Sequence, residues 1–233
     1  RMTGGRGLTR EERLEVITEI LGVFTQLWHE RKGDNVDSFD LIRLLQRDPN
    51  TANLVDDPKN YIGNLMLLIV GGNDTTRNSM SGGVLFLNDN PDQFQRVKED
   101  HSLISSMVSE IIRYQTPLSH MRRTVTRDFE FRGQKMKAGD KVILWYCSAN
   151  RDESVIPNAE HFLIDRVSVR NHASFGFGIH RCMGNRLAEM QLRVVWEEAL
   201  KRFSDIKLMG PPKRLCHNFV RGYASMPVQV TRL

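Results

Sequence analysis

Ser174-Phe175-Gly176-Phe177-Gly178-Ile179-His180-Arg181-Cys182-Met183-Gly184 is the stretch on which the reading of this chain turns. Gly176, Gly178 and Gly184 let the backbone turn sharply and lie close against a flat partner. Helical periodicity resumes directly afterwards, with Leu187, Ala188, Val194 and Val195 on one side. The loop is therefore expected to deliver Cys182 to the first turn of a helix. A thiol in that place meets unpaired backbone N–H groups and the positive end of the helix dipole, both of which favour the metal-binding thiolate. The plainer alternative is a glycine-rich turn around a structural cysteine, the common fate of a lone Cys.

The spacing Phe-x-x-Gly-x-x-x-Cys-x-Gly, running from Phe175 to Gly184 with His180 just before the cysteine, resembles the haem-ligand loop of the cytochromes P-450. These are the haem-thiolate monooxygenases. The resemblance implies that Cys182 is the axial thiolate, the ligand to the iron. It also implies that Phe175 packs beside the sulfur, that His180 bonds a haem propionate, and that Gly176 and Gly184 lie against the cofactor.

Composition sets wider bounds. With 233 residues and 40% apolar content, the chain is long enough to bury a sizeable core. The longest apolar run, Leu65 to Val70, falls far short of the ~18 residues of a membrane span. The start at Arg1 shows no signal-peptide pattern, and three cysteines at irregular spacing (Cys147, Cys182, Cys216) suit a reducing cytosol better than a disulfide scaffold. A cytoplasmic protein without a membrane span is the expectation. The net charge of +5 is dispersed, with no basic run interleaved with aromatics and no zinc-finger spacing, which argues against nucleic acid.

Thr9-Arg10-Glu11-Glu12 reads as a capping box opening a helix to about Lys32, with Leu14, Ile17, Ile20, Leu21, Phe24, Leu27 and Trp28 as its core face. Ser38 to Arg47 reads as a second helix, ended by Asp48-Pro49. Asp57-Pro58 starts a third, to about Leu87. That helix passes through Gly71-Gly72-Asn73-Asp74-Thr75-Thr76, where two glycines cost about 2 kcal/mol relative to alanine. Either a close helix crossing or a ligand lying against the backbone would compensate. Gly71 and Thr75 share a face, so the Thr75 hydroxyl can bond back to the Gly71 carbonyl or release it.

Gly-Gly-Asn-Asp-Thr-Thr is similar to the oxygen-binding kink of the same family. By that resemblance Thr75 steadies bound dioxygen and its water, Asp74 relays protons toward it, and Leu67, Val70 and Gly71 face the cavity above the haem, with Gly71 against the cofactor and Leu67 and Val70 lining the substrate pocket. Further on, Asn90-Pro91-Asp92-Gln93 reads as a capped helix start. Glu110 and Arg113, three apart in a helix of about Ser102 to Tyr114, share a face and would contribute only a few tenths of a kcal/mol if exposed. They match the family's Glu-x-x-Arg, which forms a buried structural network with a second arginine; Arg166 occupies that place.

Gln115-Thr116-Pro117 ends the helical run, and short strands follow: Phe129–Phe131, a turn at Arg132-Gly133, and Val142–Tyr146. By resemblance Leu118 to Met121 line the substrate cavity, Arg123 bonds a haem propionate, and Phe219 reaches in from the turn between two late strands. Arg122 and Arg123 also fit plain solvated charges.

The motifs stand in the family's order over nearly the whole chain, which resembles the family's C-terminal half with the N-terminal half missing. The expected fold is mainly α with small β-sheets, a single partial domain over residues 1–233. The resemblance implies haem b (iron protoporphyrin), dioxygen as co-substrate, and electrons from NAD(P)H through a ferredoxin reductase and a ferredoxin, docked on Arg181, Arg186, Lys201 and Arg202. Asn60–Val70, Trp145-Tyr146, Asn150–Glu153 and Asn218–Tyr223 look like the bacterial branch that hydroxylates alkanes and fatty acids at the terminal carbon. A terpene or sterol is the alternative apolar substrate, and an inactive haem-binding fragment the alternative role. A zinc site at His180 and Cys182 lacks two further well-spaced ligands.

Overall fold

The computed structural model describes residues 9–32 and 40–233. Its first helix, α1 (Arg10–Lys32), opens on a reciprocal cap: the Glu12 amide donates to the Thr9 hydroxyl at 3.2 Å, and the Thr9 amide donates to the Glu12 carboxylate at 2.7 Å. A short α2 (Leu41–Arg47) follows, with the Ile42 amide bonded to the Asp40 carboxylate. The expected start of this helix at Ser38 lies outside the described residues. Next comes the long α3 (Pro58–Asp89), with proline in its first turn.

The packing resolves into two compact units, residues 1–71 and 72–233. In the first, Trp28, Ile42, Tyr61 and Leu65 form a buried cluster, supported by Leu21, Phe24, Leu27 and Leu45. Trp28 and Tyr61 meet edge to face at 5.3 Å, and the Tyr61 hydroxyl donates to the Phe24 carbonyl at 2.8 Å. Leu14 and Ile17, expected in the core, are 54% and 40% exposed. The apolar stripe of α1 is used only in its C-terminal half, where α2 lies against it.

The second unit holds the remainder of α3 with α4 (Pro91–Glu99) and α5 (Ile104–Gln115). Short strands and one helical turn follow: β1 (His120–Thr124), β2 (Phe129–Phe131), β3 (Gln134–Met136), β4 (Lys141–Trp145) and α6 (Tyr146–Ala149). The chain ends with α7 (Asn185–Arg202), β5 (Phe203–Leu208), β6 (Lys213–Arg214), β7 (Tyr223–Ser225) and β8 (Val228–Arg232). Among the described residues the strands form four two-stranded antiparallel ribbons, β1–β4, β2–β3, β5–β8 and β6–β7, so the mainly helical fold with small sheets is what the chain adopts.

The core of this unit joins Phe86, Met107, Ile111, Phe162, Ile164, Leu192, Trp196 and Tyr223. Its tightest approach is made by glycines: a Cβ on Gly83 would stand 2.8 Å from Ile111 Cδ1 and 2.9 Å from Trp196 Cζ2, and one on Gly82 would strike the Gln115 amide. Close helix packing on α3 is thus served by Gly82-Gly83. The Gly71 and Gly72 Cβ positions meet nothing within 4 Å, and α3 is helical straight through them, so the expected kink is no break in the helix. The capping box at Asn90 is also absent. The Asn90 amide turns back to the Phe86 carbonyl, and Gln93 Oε1 instead accepts the Ile164 amide at 3.1 Å, because the buried segment after Phe162 needs that acceptor more.

Candidate haem-thiolate site

The Cys182 loop is closed by its own backbone. The Cys182 amide donates to the Phe175 carbonyl at 2.8 Å, the Gly176 amide to the Ala173 carbonyl at 2.8 Å, and the Arg181 amide to the Gly178 carbonyl at 3.0 Å. Gly176 and Gly178 adopt φ of +68° and +74°, which side chains rarely tolerate, and a Cβ on Gly176 would also lie 2.9 Å from the Tyr146 hydroxyl. Cys182 does not enter the first turn of α7: the helix begins at Asn185 with Gly184 as N-cap, so the cysteine lies two residues ahead of the cap. It is an exposed free thiol, and Phe177, Ile179 and Met183 around it are 68%, 96% and 89% exposed. The buried face of α7 is Leu192, Trp196 and Leu200; Leu187, Val194 and Val195 lie on its exposed side.

Behind the loop sits a buried ionic cluster. Arg113 grips Glu110 with two parallel bonds of 2.7 Å, and Arg166 Nε reaches the same carboxylate at 3.1 Å. These side chains are 1%, 0% and 7% exposed. Two guanidiniums against one carboxylate leave an excess positive charge, which the irregular segment after α6 absorbs through its carbonyls. Arg113 donates to Asn150, Ala159 and His161, and Arg166 donates to Pro157, Asn158 and His161. A buried pair is tolerable only when its remaining donors are satisfied in this way.

Three features escaped the sequence reading. Asn150, which the sequence offers only within the Asn150–Glu153 stretch of the branch resemblance and with no role of its own, is fully buried and bonds α5 to the start of the cysteine loop. His172 is 5% exposed, touches Phe175 at 5.4 Å between ring centres, and has no hydrogen-bond partner on either ring nitrogen. Burial, reinforced by the nearby Arg113 charge, pushes its pKa down from 6.5 to about 4, so it is neutral at physiological pH. The third is the Gly82-Gly83 contact. A lone asparagine, histidine or glycine pair carries no pattern that would have marked any of them.

On α3, Asp74 Oδ1 pairs with Arg77 Nη2 at 2.9 Å, and the Thr75 carbonyl accepts the Ser79 hydroxyl at 2.9 Å. Leu67, Val70 and Gly71 stand on the part of α3 that belongs to the first unit. Leu118 bridges to Val220, and the Ser119 amide donates to the Phe219 carbonyl at 2.8 Å, so Leu118 and Phe219 come from two paired segments. Met121 and Arg123 alternate onto one face of β1, where Arg123 is half-buried and donates to the Arg122 carbonyl. His180 is exposed. Of the cations flanking the loop, Arg186 pairs with Glu189, while Lys201 and Arg202 both pair with Glu198, so the basic face is partly neutralised.

The family model for cytochrome P450 matches residues 10–226. This chain belongs to the cytochrome P450 family. It is 39% identical over 221 residues to a linalool 8-monooxygenase of Pseudomonas putida, covering 94% of this chain and 53% of that protein. It is 44% identical over 165 residues to a methyl-branched lipid omega-hydroxylase of Mycobacterium tuberculosis, covering 70% of this chain and 38% of that one. Its fold matches the solved structure of a cytochrome P450-153 from Novosphingobium aromaticivorans with a TM-score of 0.88 and 46% identity, over 95% of this chain and 55% of that one. The chain spans about half the length of the relatives it matches.

Membership in the P450 family implies haem, and the residues fit it. Among the described residues, no group of three or more His, Cys, Asp or Glu is placed to hold a metal. A single exposed thiol at Cys182 suits a metal that arrives with its other ligands, as iron does in a porphyrin. The exposed thiol, the apolar Phe177, Ile179 and Met183, and the open space at the Gly184 Cβ position all suit a flat apolar cofactor.

Proposed function

We propose that the protein is a haem-thiolate monooxygenase that hydroxylates an apolar substrate, with linear alkanes or fatty acids attacked at the terminal carbon. The observation that carries the reading is Cys182, an exposed thiol held at the end of a backbone-closed loop in a chain of the P450 family. Bound haem would supply activation of dioxygen and insertion of one oxygen atom into a C–H bond. Cys182 Sγ would hold the iron, and Phe175 would shield the sulfur from one side. Phe175, Gly176 and Gly184 would pack against the cofactor, and Arg123 and His180 would hold its propionates.

Proton handling falls to α3. The Thr75 hydroxyl holds the proton to be delivered, and the Asp74 carboxylate refills it from solvent, a positioned acid relay. Delivery requires Asp74 to leave Arg77, and at 42% and 50% exposure that pair is loose enough to open. Glu110, Arg113 and Arg166 take no part in chemistry; they keep the scaffold behind the thiolate rigid. Leu118, Met121 and Phe219 exclude water and receive the substrate chain.

The relative named a lipid omega-hydroxylase supports terminal attack, and the one named a linalool 8-monooxygenase favours a second reading, a terpenoid substrate. Electrons come from NAD(P)H through a ferredoxin reductase and a ferredoxin docking near Arg181. Transfer rates insensitive to ionic strength would count against that site. Three free cysteines fit a reducing compartment such as the cytoplasm.

The deciding experiment is the absorption spectrum of the reduced carbon monoxide complex. Thiolate ligation gives a strongly red-shifted Soret band that Cys182→Ser abolishes; an imidazole-like spectrum ends the proposal. Thr75→Ala should divert reducing equivalents into peroxide or water, and product regiochemistry on alkanes, fatty acids and linalool separates the two substrate readings.

A further inference from the structure

We infer that Asn150 is a positioning residue for the thiolate, setting the orientation of Cys182 through Ala173, Ser174 and Phe175. The inference rests on the reading of Cys182 as the haem ligand. Asn150 caps the C-terminus of α6 and is completely buried. Its amide group faces two ways. Toward the end of α5, Nδ2 meets the Thr116 hydroxyl at 2.8 Å and, more weakly, the Arg113 carbonyl at 3.3 Å. Toward the loop, Nδ2 meets the Ser174 hydroxyl at 2.8 Å, and Oδ1 accepts the Ala173 amide at 2.6 Å.

Ser174 completes the tie. Its hydroxyl accepts from Asn150 and donates to the Ile112 carbonyl at 2.9 Å, so the neck of the loop is fastened to the last turn of α5. The next residue, Phe175, presents the carbonyl that receives the Cys182 amide. The backbone, this polar tie and the packing of Phe175 against His172 and the core hold the near end of the loop. Phe177, Ile179 and Met183 are exposed and fasten nothing. A partner group of this kind, one shell behind a ligand, fixes the ligand's direction and tunes the metal. An amide suits the place because it combines a forked donor with an acceptor, which neither a carboxylate nor an aliphatic chain can do.

The test uses the haem-loaded protein with Asn150→Leu, Asn150→Asp and Ser174→Ala, the last cutting the same tie from its other end. We expect each variant to lose red-shifted carbon monoxide complex in favour of the shorter-wavelength form. Haem retention should fall by about tenfold or more. The Ala173 and Cys182 amides should exchange faster, while those around Leu192 and Trp196 stay protected. Asn150→Asp combined with Ser174→Ala should add little to either alone, because both remove one connection. If Asn150→Leu fails to fold, the milder Ser174→Ala decides the question. An unchanged band and unchanged loop exchange in folded variants, with the band lost in Cys182→Ser, overturns this role alone. A band that survives Cys182→Ser overturns the ligand reading and this role with it.

Discussion

Arg113 and Glu110, one helical turn apart on α5, are joined by two parallel bonds of 2.7 Å with neither side chain open to solvent. Such a pair contributes little net stability against an apolar replacement, but removing one partner strands the other. Glu110→Gln leaves two buried guanidiniums facing each other. A loss of about 3–5 kcal/mol in urea unfolding is expected, and added salt should not restore it, since a buried charge is poorly screened. A loss under 1 kcal/mol would mean that water enters the cluster.

Gly176 and Gly184 should separate structure from cofactor binding. Gly176→Ala forces a side chain into positive φ against the Tyr146 hydroxyl and should cost about 1–2 kcal/mol without any ligand present. Gly184 has φ of −89° and open space around its Cβ, so Gly184→Ala should leave thermal stability of the haem-free chain within about 0.5 kcal/mol. Weaker haem titration in that variant would then report direct contact with the cofactor.

The same contrast divides the two glycine pairs of α3. Gly83→Ala drives a methyl group into Ile111 and Trp196 and should cost about 1–3 kcal/mol. Gly71→Ala meets nothing and improves helix propensity, so it should stabilise the haem-free chain by up to about 1 kcal/mol. Loss of oxygenase turnover in a more stable Gly71→Ala protein is the expected signature of a surface kept open for a ligand.

His172 makes stability depend on pH in a defined window. Its folded pKa of about 4 lies below the ordinary 6.5, chiefly from burial and then from Arg113 and Arg181, with Glu110 opposing. Above pH 6.5 neither state binds the proton and the residue has no effect. Between 6.5 and 4 only the unfolded chain binds it, so stability falls as pH falls, by roughly 3 kcal/mol in all, and then levels off. His172→Leu should flatten that part of the denaturation profile; an unchanged slope would mean that the ring is hydrated and charged.

What the sequence made legible was what periodicity and spacing encode. The reciprocal cap at Thr9, the proline-started α3, the short ribbons and the closeness of Glu110 to Arg113 all follow from local rules. Burial did not. Leu14 and Leu187 satisfy a helical stripe as well as Leu192 does, and only the neighbours supplied by the fold choose among them. Cys182 lies ahead of the helix rather than in its first turn, because a glycine at the N-cap shifts the helix start without altering its pattern. Asn150 was invisible for a different reason: its four partners are scattered from Arg113 to Ser174, and no local rule joins them.

The carbonyls gathered around Arg113 and Arg166 have one further consequence. From Asn150 to Arg166 the chain has neither helix nor strand, yet its peptide groups converge on side chains fixed by α5. Such a segment cannot loosen piecemeal, because releasing one carbonyl weakens the hold on all the others. Residues 150–166 and the C-terminal half of α5 therefore form one cooperative opening unit, whose amides should exchange at a common rate. The least regular part of this chain is tied to the lifetime of one of its most buried helices.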